Sequence, residues 1–130
     1  MTDGVTPALG FALVAVVLPY VVHLAVVIAK VRLGYDRHHP RDQAAALTGW
    51  AGRAWAAELN AFEAAVPAAV VFVVAHLCTV DPELVWALGL GWTAARLGHF
   101  AAYLADIAAL RSACFGVATL CLVGLVALTV

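Results

Sequence analysis

The chain has 130 residues, of which 65% are apolar and 12% are charged, and its formal net charge is −1. Soluble domains carry about 25% charged residues, so this chain has too few to cover a water-exposed surface. The low charge gives no electrostatic basis for binding nucleic acid, and the hydrophobicity excludes a disordered chain. The three cysteines have no CxxC or Cys/His spacing, which argues against a disulfide framework and a metal site. The composition therefore predicts an integral membrane protein.

Four apolar segments predict four transmembrane helices, at about residues 5–29, 50–78, 84–104 and 112–130. A span needs about 20 residues to cross ~30 Å of hydrocarbon. Because backbone groups in lipid must pair within their own segment, the spans are expected to be helices, and short loops make neighbours antiparallel. The predicted fold class is all-α, an integral membrane four-helix bundle in which residues 1–130 form a single domain.

The polar segment between the first two spans predicts the orientation of the bundle. It contains four of the seven cationic residues, which are Lys30, Arg32, Arg37 and Arg41. Neither the stretch before the first span nor the loop at 79–83 has a Lys or Arg. The positive-inside rule then places the first and third loops in the cytoplasm and both termini outside.

Polar side chains recur inside the spans, where an ionisable group costs at least ~2.5–3.5 kcal/mol at the bilayer centre. One face of the second helix carries Arg53, Asn60 and Glu63, at spacings of seven and three. One face of the third carries Arg96, His99, Tyr103 and Asp106, at spacings of three, four and three. Antiparallel packing predicts that both faces meet near the cytoplasmic interface, together with Arg111 and Ser112 at the start of the fourth helix.

Two interpretations of this convergence stay open at the level of spacing. It is either a binding site for a small charged ligand or a set of structural pairs, each worth ~0.6 kcal/mol on average. Glu58 lies off the polar face of its helix and is expected to face the first loop or solvent. His23, alone in the first helix, is expected to be a packing residue.

Two segments of the chain resemble the MAPEG family, the membrane-associated proteins in eicosanoid and glutathione metabolism. The segment GRAWAAELNAFEAAVPAA, Gly52 to Ala69, is similar to the family signature, with Asn60 and Glu63 as N-x-x-E and Pro67 four residues later. The segment ARLGHFAAYLADIAALRSACF, Ala95 to Phe115, is similar to the family's third-to-fourth helix region. The resemblance covers essentially the whole chain. It is closest to an uncharacterised bacterial branch and implies a homotrimer in the bacterial inner (plasma) membrane.

The resemblance also implies a function, a glutathione-dependent transferase or peroxidase that acts on hydrophobic electrophiles arriving through the membrane lipids. Glutathione, the implied cofactor, would be bound by Arg53, Asn60, Glu63, Arg96, His99 and Tyr103. The catalytic residues would be Arg111, which stabilises the thiolate, and the adjacent Ser112.

The chain departs from the glutathione-using members at three positions, where they carry arginines or an aromatic hydroxyl and it has Ala56, Leu59 and Phe115. Fewer cations imply weaker binding of the anionic tripeptide. The alternative function is a non-catalytic membrane or lipid-binding protein, or an accessory subunit of a larger membrane complex. A transporter or proton relay, using intramembrane carboxylates and His99, is a third interpretation.

Overall fold

The structure, a computed structural model, describes residues 4–130. This part of the chain contains five helices: α1 (Pro7–Leu33), α2 (Pro40–Ala45), α3 (Gly49–Leu77), α4 (Pro82–Ala105) and α5 (Ala108–Ala127). Three of them, α1, α3 and α5, are long and apolar enough to cross a membrane. The all-α membrane protein predicted from the composition is thus confirmed. α4 has Arg96 and His99 in its interior and is not among the three, so the fourth span stays a prediction.

The connection between α4 and α5 is shorter than the sequence suggested. Asp106 adopts the left-handed conformation, with φ 61° and ψ 38°, and ends α4. The chain reverses there, and α5 begins at Ala108 rather than at residue 112. Arg111 and Ser112 therefore lie inside the first turns of α5, with their backbones already helical.

The four long helices form two antiparallel pairs, because α1 packs most extensively against α3 and α4 packs most extensively against α5. In the first pair, Thr6 at the start of α1 lies 3.1 Å from His76 at the end of α3. His23, later in α1, lies 3.0 Å from Glu58, earlier in α3. We call the end where α1 and α4 finish and α3 and α5 begin the polar end of the fold.

The second pair is held close by small residues. A Cβ placed on Gly91 would lie 3.1 Å from Sγ of Cys121, and one placed on Gly98 would lie 3.0 Å from Sγ of Cys114. The two glycines are seven residues apart, and so are the two cysteines. The same glycine–cysteine contact therefore repeats after two helical turns. Small residues at such positions let helix backbones approach, which is how helices associate in lipid.

An aromatic core fills the end of the fold opposite the polar end. The rings of Phe11 and Phe72 stack at 5.5 Å between centroids. The edge-on partners are Trp86, 5.3 Å from Phe11, and Trp92, 5.8 Å from Phe72. Phe72 and Trp92 are fully buried, so this core joins α1, α3 and α4.

We expect Gly89→Ala to destabilise the protein by about 2 kcal/mol, because the new methyl group would overpack the aromatic core. A Cβ on Gly89 would lie 2.4 Å from the ring of Phe11, and that ring is held between Phe72 and Trp86. The measurement is the thermal unfolding of detergent-purified protein.

The matched control is Gly124→Ala in α5. Its Cβ would lie 3.5 Å from a methyl group of Leu88, which is an ordinary contact. That variant is expected to be neutral or more stable by about 0.5–1 kcal/mol, since alanine favours a helix interior over glycine. Equal unfolding temperatures for the two variants would contradict the packing argument.

Candidate functional site

Arg96 and Asn60 join α4 to α3 inside the fold. Nη2 of Arg96 donates hydrogen bonds to Oδ1 of Asn60 at 2.8 Å and to its backbone oxygen at 3.3 Å. Arg96 is buried, with 5% of its surface exposed. A buried guanidinium needs such partners, because an unpaired charge in a low-dielectric interior is costly. The sequence prediction that these two residues meet is confirmed.

A cleft of about 390 Å³ opens between α3, α4 and α5 beside this pair. The residues that line it are Asn60, Glu63, Ala64, Pro67, Trp92, Arg96, Phe115, Ala118, Thr119 and Leu122. The volume lies within the ~300–1,000 Å³ typical of small-molecule sites. Its charged and amide groups are those of Asn60, Glu63 and Arg96, and its other lining residues are aliphatic or aromatic except Thr119, whose hydroxyl donates to the carbonyl oxygen of Phe115. The cleft therefore suits an amphipathic molecule.

Glu63 is the carboxylate of this cleft. It lies near the middle of α3, is exposed, and forms no salt bridge with any residue of 4–130. A carboxylate at that depth of an apolar helix requires a cation, a donor or a second protein surface.

Arg53 lies nearer the polar end than the cleft and contacts the end of α4. Its Nη2 and Nε donate to the carbonyl oxygen of Leu104 at 3.3 and 3.4 Å. Its Nη1 lies 3.8 Å from Oδ2 of Asp106. The last carbonyls of a helix lack partners within the helix, so Arg53 caps α4. In this chain Arg53 does not line the cleft.

A row of aromatic and cationic side chains runs from the cleft toward the polar end. Phe115 lines the cleft, and its ring centroid lies 6.3 Å from that of His99, which is buried. His99 lies 5.1 Å from the ring of Tyr103. The guanidinium of Arg111 sits over the same tyrosine ring, 4.6 Å from its centroid, in cation–π geometry. Three sequence-predicted site residues therefore contact one another in a row.

The predicted site thus forms two adjacent groups. The first is Asn60, Glu63 and Arg96 in the cleft. The second is His99, Tyr103 and Arg111, none of which lines the cleft, although the ring of His99 lies beside Phe115, which does. Ser112 is exposed on α5 and lines no part of the cleft.

Glu58 does not face the first loop or solvent, and that expectation was wrong. Its side chain is 14% exposed, and Oε1 lies 3.0 Å from Nδ1 of His23 in α1. Its other oxygen, Oε2, is buried without a hydrogen-bond partner in residues 4–130. His23 is accordingly a polar partner rather than a packing residue. The sequence contained a signal for this pair, because two adjacent antiparallel helices each carry a polar residue at a similar depth, His23 in α1 and Glu58 in α3.

The chemistry of the cleft follows from its residues. Arg96 and Asn60 offer N–H donors to a carboxylate, and Glu63 offers an acceptor to an ammonium group. Arg111, outside the cleft, is a cation of the kind that favours the ionised form of a thiol placed next to it.

Comparison of the chain with protein-family models gives the family that the segments around Asn60 and Arg96 resemble. The MAPEG family model matches residues 5–130, which is nearly the whole chain. No curated protein and no solved structure matches the chain. This match agrees with the helical membrane fold and with the N-x-x-E segment at the cleft. The chain therefore belongs to the MAPEG family.

Proposed function

We propose that this protein is a membrane-bound glutathione-dependent transferase or peroxidase that acts on hydrophobic electrophiles. The single observation that carries the proposal is the cleft, in which Asn60, Glu63 and Arg96 stand against an apolar wall. Glutathione has two carboxylates, one ammonium group and a thiol. Arg96 and Asn60 suit a carboxylate of that tripeptide, and Glu63 suits its ammonium group.

Arg111 is the proposed activator of the thiol, with Ser112 beside it. In the transferase reaction the thiolate sulfur attacks the electrophilic carbon, a C–S bond forms, and the leaving group departs with its electron pair. The thiol proton passes to solvent. Since Arg111 does not line the cleft of its own chain and sits over the Tyr103 ring instead, we propose that a neighbouring copy in a homotrimer completes the site. The exposed Glu63 supports such a neighbour.

The proposed arrangement in the membrane has four spans, with α4 as the fourth, and lies in the bacterial inner membrane. The cations of the first loop support a cytoplasmic position for that loop and an external position for both termini. The cleft then opens closer to the cytoplasmic side. Water-soluble glutathione would reach it from the cytoplasm, and the hydrophobic electrophile would enter from the lipid.

A second candidate function is favoured by the Arg96–Asn60 bond. Because Nη2 of Arg96 is already satisfied within the chain, the same residues serve as a structural network in a non-catalytic membrane or lipid-binding protein. An accessory subunit of a larger membrane complex would use them in the same way. The ligand test below separates this candidate from the enzyme.

Glutathione at 10 times its dissociation constant is expected to raise the melting temperature of detergent-purified protein by about 5 °C, because a ligand that binds only the folded state stabilises it. The measurement is a thermal-shift titration with reduced glutathione. No shift at millimolar glutathione would favour the structural candidate.

Two variants sharpen the titration. Glu63→Gln removes the acceptor for the ammonium group and is expected to abolish the shift while the protein keeps its oligomeric state. If the protein is non-catalytic and these residues form a structural network, the same variant is expected to damage assembly.

Ala56→Arg restores the cation that other family members carry one turn before Asn60, and is expected to tighten the binding of glutathione about tenfold.

A further inference from the structure

The segment between α1 and α3 is a folded platform rather than a loose loop. Oδ1 of Asp36 accepts the N–H groups of His38 and His39 at 2.8 and 3.1 Å. The side chain of Gln43 clamps the turn from the other side, since its Oε1 accepts the N–H of Asp36 and its Nε2 donates to the carbonyl of Gly34. These bonds fix residues 34–43 against each other.

A buried lysine attaches this platform to the end of α1. Lys30 is 8% exposed, and its Nζ donates to the carbonyl oxygen of Pro40 at 2.9 Å. Its ammonium group lies 5.9 Å from the centre of the Tyr35 ring. Lys30 is therefore used inside the fold, and α2, which begins at Pro40, is held beside α1.

Three exposed cations lie on the platform or at the end of α1 to which it is attached. Elsewhere Arg53, Arg96 and Arg111 each have a partner, as does Lys30. The remaining three cationic residues are exposed and form no salt bridge within residues 4–130: Arg32 in the last turn of α1, and Arg37 and Arg41 on the platform.

The acidic residues of the platform do not cancel this charge. The N–H groups of His39 and His38 hold the pKa of Asp36 below its ordinary value. Asp36 is thus ionised at neutral pH, but its carboxylate is bound to the backbone of its own turn, with Oδ2 3.6 Å from the ring of His39. Asp42 is the other carboxylate of the segment and is exposed. The guanidinium groups remain in excess.

The position of the platform defines what these cations meet. It begins where α1, a membrane-spanning candidate, ends at Leu33. Tyr35, near the start of the platform, and Trp50, in the first turn of α3, have 53% and 39% of their surfaces exposed. Aromatic rings of this kind lie at the membrane–water interface, at the depth of the lipid headgroups.

We propose that the platform is a binding site for the phosphate groups of anionic phospholipids. A guanidinium pairs with phosphate in a bidentate manner, and each cation near an anionic surface contributes to the attraction. The internal bonds of Asp36, Gln43 and Lys30 hold the backbone that carries Arg37 and Arg41 beside the end of α1, which carries Arg32, so the backbone needs little ordering at the moment of binding. The proposal is independent of glutathione.

The test is a lipid titration of full-length protein in detergent, followed by native mass spectrometry. At low salt we expect dioleoyl phosphatidylglycerol to bind about tenfold more tightly than dioleoyl phosphatidylcholine, and we expect the preference to fall as salt screens the charges. The variant R32Q/R37Q/R41Q is expected to lose the preference, and R32K/R37K/R41K, which keeps the charge, is expected to retain part of it. Gln43→Ala, which loosens the platform, is expected to weaken binding with all three cations present.

Several results would overturn the proposal. Equal affinity of wild-type protein for the two lipids is one, and a full preference in R32Q/R37Q/R41Q is another. Displacement of the lipid by inorganic phosphate at equal concentration would assign the cations to a free anion. Tighter binding of poly-glutamate than of phosphatidylglycerol would assign them to an acidic protein. The folded state of every variant is checked by its thermal unfolding, and the salt dependence of the wild type tests the proposal without any substitution.

Discussion

His23→Leu is expected to lower the stability of the detergent-purified protein by about 3 kcal/mol, the upper part of the range for leaving a buried acceptor unsatisfied, because the acceptor is a carboxylate. The substitution leaves Glu58 without its partner at 3.0 Å, and the second oxygen of that carboxylate is already buried without one. The side chain of His23 is 41% exposed, and this exposure keeps the expected loss from being larger. The measurement is SDS-induced and thermal unfolding.

The double variant H23L/E58L is the control for this prediction. Replacing both partners with apolar residues removes the polar groups that need each other, and such replacements of buried pairs are often neutral or stabilising. We expect the double variant to recover most of the stability that His23→Leu loses. Purely additive effects of the two single substitutions would show that the contact contributes nothing to stability.

On the proposed function, Arg111→Ala is expected to reduce kcat/KM for conjugation of glutathione to chlorodinitrobenzene about 100-fold, because the thiolate would lose the cation proposed to stabilise it. In that reaction the sulfur displaces chloride from the ring carbon. The guanidinium is held over the Tyr103 ring at 4.6 Å, so its position is fixed before a ligand arrives. The pH at which the rate reaches half its maximum is expected to rise, since the thiol then ionises at higher pH.

The controls separate chemistry from folding. Arg111→Lys keeps a positive charge and is expected to keep part of the activity, and the glutathione-induced thermal shift of Arg111→Ala is expected to persist in part through Asn60 and Glu63. Glu83→Gln, at the end of the fold opposite the polar end, is expected to leave the rate unchanged. An Arg111→Ala enzyme with the wild-type rate and pH profile would refute the role of Arg111.

The sequence was sufficient for the parts of the fold that depend on local composition and periodicity. Long apolar segments predicted membrane helices, and three of them meet that description in the structure. Helical spacing predicted that Asn60 and Arg96 would meet, since both lie on polar faces of neighbouring antiparallel helices, and the two are hydrogen-bonded. The family was also predicted from the segments around these residues, and it is confirmed over residues 5–130.

The sequence was not sufficient where one residue's backbone or rotation about a helix axis decides the outcome. The left-handed Asp106 shortened the α4–α5 connection and moved the start of α5, which periodicity alone does not reveal. Helical spacing predicts that Glu58 faces the first loop or solvent, because it is off the face of Asn60 and Glu63, but α3 has neighbours on more than one side. The face of α3 that packs against α1 therefore also holds a largely buried polar residue, Glu58.

The two antiparallel helix pairs have a consequence for how the protein responds to occupancy of the cleft. The walls of the cleft come from α3 in one pair and from α4 and α5 in the other, so it lies across the boundary at which the halves of the chain meet. That boundary is less extensive than the packing within either pair. A molecule bound in the cleft would therefore contact both helix pairs and stabilise the interface between them. Its release would weaken that interface and leave the packing within each pair unchanged.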